Sequence, residues 1–139
     1  MFLTRLVYTS TIADNFSPQD IEAIIEIARK NNRKHNVTGM LCFNRKYFLQ
    51  CLEGSRTQVN KIYYNILNDP RHSNIIMLDY KEITSREFSE WSMGYIPESS
   101  LTAPINLKFS GTPEFDPYKM SGESAFQMLL ALRESVPSL

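Results

Sequence analysis

The chain has 139 residues, 42% hydrophobic and 12% aromatic, enough for one domain with a packed core and too apolar for disorder. Its 15 basic and 15 acidic side chains cancel, so no overall charge draws it to nucleic acid. The N-terminus lacks a signal-peptide pattern and no apolar run approaches the ~20 residues that span a bilayer, so a soluble, cytoplasmic protein is expected.

Phe2 to Thr9 reads as a first strand, with Phe2, Thr4, Leu6 and Tyr8 on one face and Leu3, Arg5 and Val7 on the other. After a loop through Asp14 and Asn15, Ser17 is placed to cap a helix, with Pro18 at its first position and Asp20 three residues past the cap. Ile21, Ile24, Ile25 and Ala28 then follow helical spacing as far as about Asn32.

Val37–Phe43 and Tyr47–Glu53 read as a hairpin across Asn44, Arg45 and Lys46. Cys42 and Cys51, the two cysteines, fall in these apolar runs and read as buried reduced thiols; with two histidines they offer no metal-ligand spacing. Gln50 is an uncharged amide inside the second run, on the face it shares with Phe48 and Leu52. Left without partners, such an amide costs roughly 1–3 kcal/mol, so the fold must supply hydrogen bonds for it.

Ser55 with Gln58 repeats the capping-box pattern, and the helix behind it directs Val59, Ile62, Tyr63, Ile66 and Leu67 inward until Asp69-Pro70 stops it. Ile75–Ile83 is a fourth strand and Glu90–Ile96 a fifth, which puts Trp91 and Met93 on one face. The order βαββαββ implies an α+β fold, a ferredoxin-like βαββαβ sheet with an added fifth strand and two helices on one face. In that plan the first and third strands are expected as parallel neighbours, bringing Tyr8 beside Gln50. From Pro97 the texture changes, with Pro104, Pro113 and Pro117 as interruptions and Gly111 and Gly122 as turns. A short helix over 124–134 carries Phe126, Leu129, Leu130 and Arg133 at helical spacing, so residues 98–139 read as a helical extension on a domain of residues 1–97.

Tyr8-Thr9-Ser10, Asn31-Asn32, Thr38-Gly39-Met40-Leu41, Phe48-Leu49-Gln50, Leu52-Glu53-Gly54, Arg71-His72 and Trp91-Ser92-Met93 together resemble the BLUF family, blue-light sensors that bind flavin adenine dinucleotide. The resemblance runs in register from about residue 2 to residue 97, and the small size with a helical tail is similar to the stand-alone, PixD-like type. It implies FAD as cofactor, with FMN open because the ring-binding residues serve both. It implies Tyr8 as electron and proton donor and Gln50 as the switch at the flavin N5 and C4 carbonyl. Asn32 is implied at the C4 carbonyl and N3, Asn31 on the C2 carbonyl side, and Trp91 and Met93 as signal relay.

The residues themselves support that chemistry. An isoalloxazine ring needs an apolar slot, which Ile24, Ile25, Ala28 and Ile66 can line, and amides that both donate and accept at its polar edge. Phosphates need cations or donors, for which Arg29, Lys30, Arg71 and His72 are candidates beside Ser10. No Gly-x-Gly-x-x-Gly or P-loop is present. Output is expected through a separate partner protein or a homo-oligomer, without enzymatic turnover. The competing readings are a non-photoactive ferredoxin-like binding module, an acylphosphatase-like enzyme and an RNA-binding sheet. Tyr8–Ser17 holds neither the arginine nor the glycine an acylphosphatase loop requires, and the neutral charge and missing glycine-aromatic motif argue against RNA.

Overall fold

The computed structural model describes residues 2–135. Strands β1 (Leu3–Ile12), β2 (Thr38–Phe43), β3 (Tyr47–Ser55), β4 (His72–Ile83) and β5 (Gly94–Ile96) form one sheet in the order β4-β1-β3-β2-β5. Helices α1 (Pro18–Lys34) and α2 (Arg56–Leu67) pack on one face; α3 (Ala103–Phe109) and α4 (Gly122–Leu132) follow the sheet in the chain. The first six elements follow the ferredoxin-like plan read from the sequence.

The helix starts are local. Ser17 accepts from the Asp20 N–H while the Asp20 carboxylate takes the Ser17 N–H, a complete capping box. Ser55 caps α2 through the Gln58 N–H at 3.3 Å, but Gln58 returns no bond, so this box is half formed. Ser55 is still in the β-ladder opposite Leu3, which leaves it less free to meet Gln58.

Two apolar layers result from the alternation along the central strands. Leu6, Tyr8, Phe48 and Leu52 pack with Ile25 and Val59 under α1 and α2. Val7, Leu49, Cys42 and Cys51 pack on the opposite face with Phe126, Met128 and Leu129 of α4. Both cysteines are free and buried, as read. Arg5 is buried on the α4 side, its guanidinium 3.4 Å from the Phe126 ring centroid and 3.5 Å from Asp79. Glu53, also fully buried, accepts from the N–H groups of Glu87 and Phe88 at 2.8 and 2.7 Å and so pins the β4–β5 connection. Burial pushes its carboxyl above the ordinary range, against those two donors and Arg86.

Five expectations are corrected. β1 and β3 are antiparallel, because the chain returns through α1 to make β2 parallel to β1 and then reverses through the hairpin; the parallel pair is β2 with β5. β5 begins only at Gly94, since the residues before it bond sideways: the Gly39 N–H donates to the Trp91 carbonyl and Asn32 Nδ2 to the Ser92 carbonyl. Trp91 and Met93 therefore do not share a face; Trp91 belongs to the α4-side layer and Met93 to the α1/α2 layer. Leu67 is 48% exposed at the last position of α2, outside the inward arc of Val59, Tyr63 and Ile66. Pro104 opens α3 rather than breaking a helix, as its fixed φ and missing N–H allow in a first turn.

The seat of α4 depends on Gly122. A Cβ there would lie 2.3 Å from the Leu78 carbonyl oxygen and 2.7 Å from Asp79 Cβ. Gly122→Ala is expected to destabilise the fold by about 1–3 kcal/mol through this overlap. Urea unfolding reads the change; an unaltered midpoint would contradict the close seat.

Candidate functional site

A cavity of about 310 Å³ lies between α1 and α2, floored by β1 and β3. From α1 it is lined by Ile24, Ile25, Ala28, Asn31 and Asn32 at helical spacing along one stripe, with Ile27 beside them and the C-cap residue His35 just past the helix end. Lys61, Ile62, Asn65 and Ile66 line it from α2, and Asp69, Arg71 and His72 close the end where β4 begins. The floor carries Tyr8, Leu41, Phe48 and Gln50, with Met93 at the edge.

Tyr8 and Gln50 are direct partners in the β1–β3 ladder, so their side chains leave the sheet together. The Tyr8 hydroxyl donates to Gln50 Oε1, and Gln50 Nε2 donates to the Met93 sulfur at 3.4 Å. Both residues are buried, at 3% and 7% exposure. Burial pushes the Tyr8 phenol far above its ordinary value, and the neighbouring Tyr63 and Asp69 add in the same direction. Tyr8 is thus a neutral phenol with one acceptor, and Gln50 an amide with different partners at its two ends.

Asn32 is buried at the C-terminal end of α1, its Nδ2 donating to the Ser92 carbonyl at 2.8 Å, while Asn31 is exposed at the cavity rim. His72 Nε2 donates to the Ile66 carbonyl at 2.9 Å, which fixes a proton on that nitrogen. In the neutral ring Nδ1 then accepts from the Ser10 hydroxyl at 2.7 Å. Arg71 grips Asp69 with two nitrogens, Nε at 2.9 Å and a terminal nitrogen at 2.5 Å, which holds the Asp69 carboxyl below its usual range.

Of the residues singled out from the sequence, Ile24, Ile25, Ala28, Asn31, Asn32, Gln50, Ile66, Arg71 and His72 meet at this cavity together with Tyr8 and Met93. Ser10, Arg29, Lys30 and Trp91 are not in its wall. Ser10 orients His72 from behind. Arg29 lies about a quarter-turn from the lining stripe and donates through Nε to the Met93 carbonyl at 2.9 Å. Lys30 is on the exposed face of α1, and Trp91 packs against Phe88 under α4.

Ile27, His35, Leu41, Phe48, Lys61, Ile62, Asn65 and Asp69 complete the wall without having been read as site residues. Lys61-Ile62 and Asn65-Ile66 repeat at four-residue spacing, a polar stripe beside an apolar one, and that signal was available in the sequence. Among the described residues no group of His, Cys, Asp or Glu is arranged to hold a metal, and no helix is long and apolar enough to cross a membrane.

The donor set fits a flat heteroaromatic ring. The slot is lined by apolar side chains from both helices, its volume falls at the lower end of the roughly 300–1,000 Å³ typical of ligand pockets, and the amides of Asn31, Asn32, Gln50 and Asn65 are in its wall. Comparison with known proteins agrees. Residues 3–94 match the model of BLUF, described as sensors of blue-light using FAD. The blue light- and temperature-regulated antirepressor BluF of Escherichia coli (strain K12) is 42% identical over 91 residues, 66% of this chain and 23% of that protein. This chain therefore spans about a quarter of that relative's length. The dark-state structure of BlrB, a BLUF protein, superposes with a TM-score of 0.80 at 29% identity, covering 96% of each chain. Klebsiella pneumoniae BlrP1 with FMN and cyclic diGMP superposes with a TM-score of 0.66 at 31% identity, over 72% of this chain and 27% of that one. The matched segment contains both floor strands, both wall helices and Met93, so the chain belongs to the BLUF family of flavin-based blue-light sensors.

Proposed function

We propose that this chain is a blue-light photoreceptor whose resting state is the Tyr8–Gln50–Met93 network, and that FAD is the flavin it takes. The observation that carries the reading is one amide, Gln50, joined to a phenol at its oxygen and to a thioether at its nitrogen in the cavity floor. Asn31, Asn32 and Gln50 would hold the ring's polar edge, Ile24, Ile25, Ala28 and Ile66 its faces. Lys61 and Arg71, with His72, are the cations and donors placed for a phosphate-bearing side chain. Two cations, Lys61 on the α2 wall and Arg71 at the β4 end, favour the diphosphate of FAD over the monophosphate of FMN.

When bound, the flavin supplies blue-light absorption and, once excited, an electron acceptor. Tyr8 would be the donor: it would give up an electron, its hydroxyl proton passing along the existing hydrogen bond to Gln50 Oε1 as Gln50 Nε2 releases a proton, and electron and proton would both return to Tyr8 afterwards. Gln50 can then present the reverse pattern of donor and acceptor, by rotation or by tautomerisation. Rotation turns Oε1 toward the Met93 sulfur in place of the N–H, and tautomerisation leaves the nitrogen one N–H instead of two; both alter the contact with Met93, whose flexible thioether tolerates the repacking. Met93 leads directly into β5, and Trp91, two residues earlier, reaches the α4-side layer. The pair thereby relays the change from sensor residues 1–97 to extension residues 98–139. The chain performs no net conversion; its output goes to a protein partner or a further copy of itself, in the cytoplasm, where the two buried thiols stay reduced.

Asn32→Ala tests the binding assignment. Loss of a buried amide at the ring edge is expected to weaken flavin retention about ten-fold. Titrating apoprotein with FAD and FMN separately reads both the loss and the preference. Unchanged retention would leave Asn32 only its bond to Ser92.

A further inference from the structure

Met93 is held at two ends. Its sulfur accepts from Gln50 inside the cavity, and its carbonyl accepts from Arg29 Nε at 2.9 Å outside it. The Arg29 side chain is 21% exposed, so this bond is shielded from water, and Glu26 one turn back stands 3.6 Å away and orients the guanidinium. The same guanidinium lies 5.9 Å from the centroid of Tyr95, which is 37% exposed on β5. One residue earlier, the Ser92 carbonyl is taken by Asn32. Two consecutive carbonyls are therefore fixed by α1 side chains immediately before the β5 ladder begins at Gly94.

We infer that Arg29 is the positioning residue that couples the Gln50–Met93 contact to the outer face of β5. By fixing the Met93 carbonyl it keeps the thioether against Gln50. When Met93 withdraws, that carbonyl moves off the guanidinium, and Tyr95, two residues on and under the same cation, shifts with it. Tyr95, packed on Phe43 at a centroid distance of 6.2 Å, is the surface element through which the change is read. The inference deepens the photosensor reading and rests on it.

The test uses Arg29→Gln and Arg29→Lys in the full chain. Backbone amide exchange over residues 92–96 is measured first in the dark on apoprotein. A charge-assisted bond is lost in Arg29→Gln, so exchange there is expected to rise about ten-fold, with Arg29→Lys close to the parent protein. In the flavin-loaded protein a light-driven red shift is retained, because Tyr8 and Gln50 are untouched. Return to the dark state slows several-fold in Arg29→Gln and is restored by Lys, since the bond belongs to the dark arrangement. Unchanged exchange over 92–96, a uniform rise across the whole sheet, or unchanged recovery would each overturn the assignment. The exchange step needs neither light nor flavin, so a parent protein with no photocycle would sink the photosensor reading separately.

Discussion

Tyr8→Phe is expected to keep flavin bound and abolish the light-driven spectral shift. The ring stays in the layer under α1 and α2 with Leu6 and Phe48, so packing is retained. What disappears is the hydroxyl, and with it both the proton that moves and the donor to Gln50 Oε1. A buried acceptor left without its donor costs about 1–3 kcal/mol, which lowers stability without unfolding a domain of this size. Light-minus-dark spectra of the variant measure the loss directly; a shift of normal size would remove Tyr8 from the photochemistry. In the parent protein the raised phenol pKa sets a pH signature. An exposed tyrosine is half ionised near pH 10, but Tyr8 keeps its proton there, so the shift should hold its amplitude from about pH 7 to about pH 10. Because the folded-state value is the raised one, the stability tied to this group falls only as pH climbs past the ordinary phenol value.

Gln50→Leu carries the second large effect. Leucine fills the floor of the cavity but has no donor or acceptor, so Tyr8 loses its acceptor and Met93 its N–H partner in one change. Flavin should still bind through Asn31, Asn32 and the apolar faces, while the red shift is absent because no amide is left to reverse. Absorption spectroscopy on the loaded variant gives the answer. A retained red shift would assign the switch to another residue; loss of flavin altogether would make Gln50 chiefly a binding residue.

Much of this site was legible in the chain. Alternation placed Tyr8 with Leu6 and Gln50 with Phe48 and Leu52, and the βαββαβ order made β1 and β3 neighbours, so the pairing of phenol and amide followed. The direction of that pairing was misread, yet the error did no harm, because antiparallel partners also leave the sheet on one face. The stripe Ile24, Ala28, Asn31 was visible for the reason any helix stripe is: spacing fixes direction.

The error at strand five had larger consequences. Period-two alternation put Trp91 and Met93 on one face, but alternation holds only where a ladder imposes it. Here the Trp91 and Ser92 carbonyls are claimed by Gly39 and Asn32, contacts 52 and 60 residues distant in sequence that no local pattern encodes. Arg29 shows the same limit. Its charge pointed to phosphate, and only the packing of α1 against the segment before β5 shows that the guanidinium is engaged by the Met93 carbonyl. The tail was underread for the opposite reason: Pro104, taken as an interruption, is a helix start whose meaning depends on where the helix begins.

On this reading the Tyr8–Gln50–Met93 network senses light through a flavin in the α1–α2 cavity. An absorption spectrum of the purified chain, supplied with FAD and recorded in the dark and after blue illumination, tests it most directly. The expected result is a flavin spectrum that shifts slightly to the red and relaxes in the dark. A protein that takes up no flavin, or one whose bound flavin spectrum is unmoved by light, would contradict it.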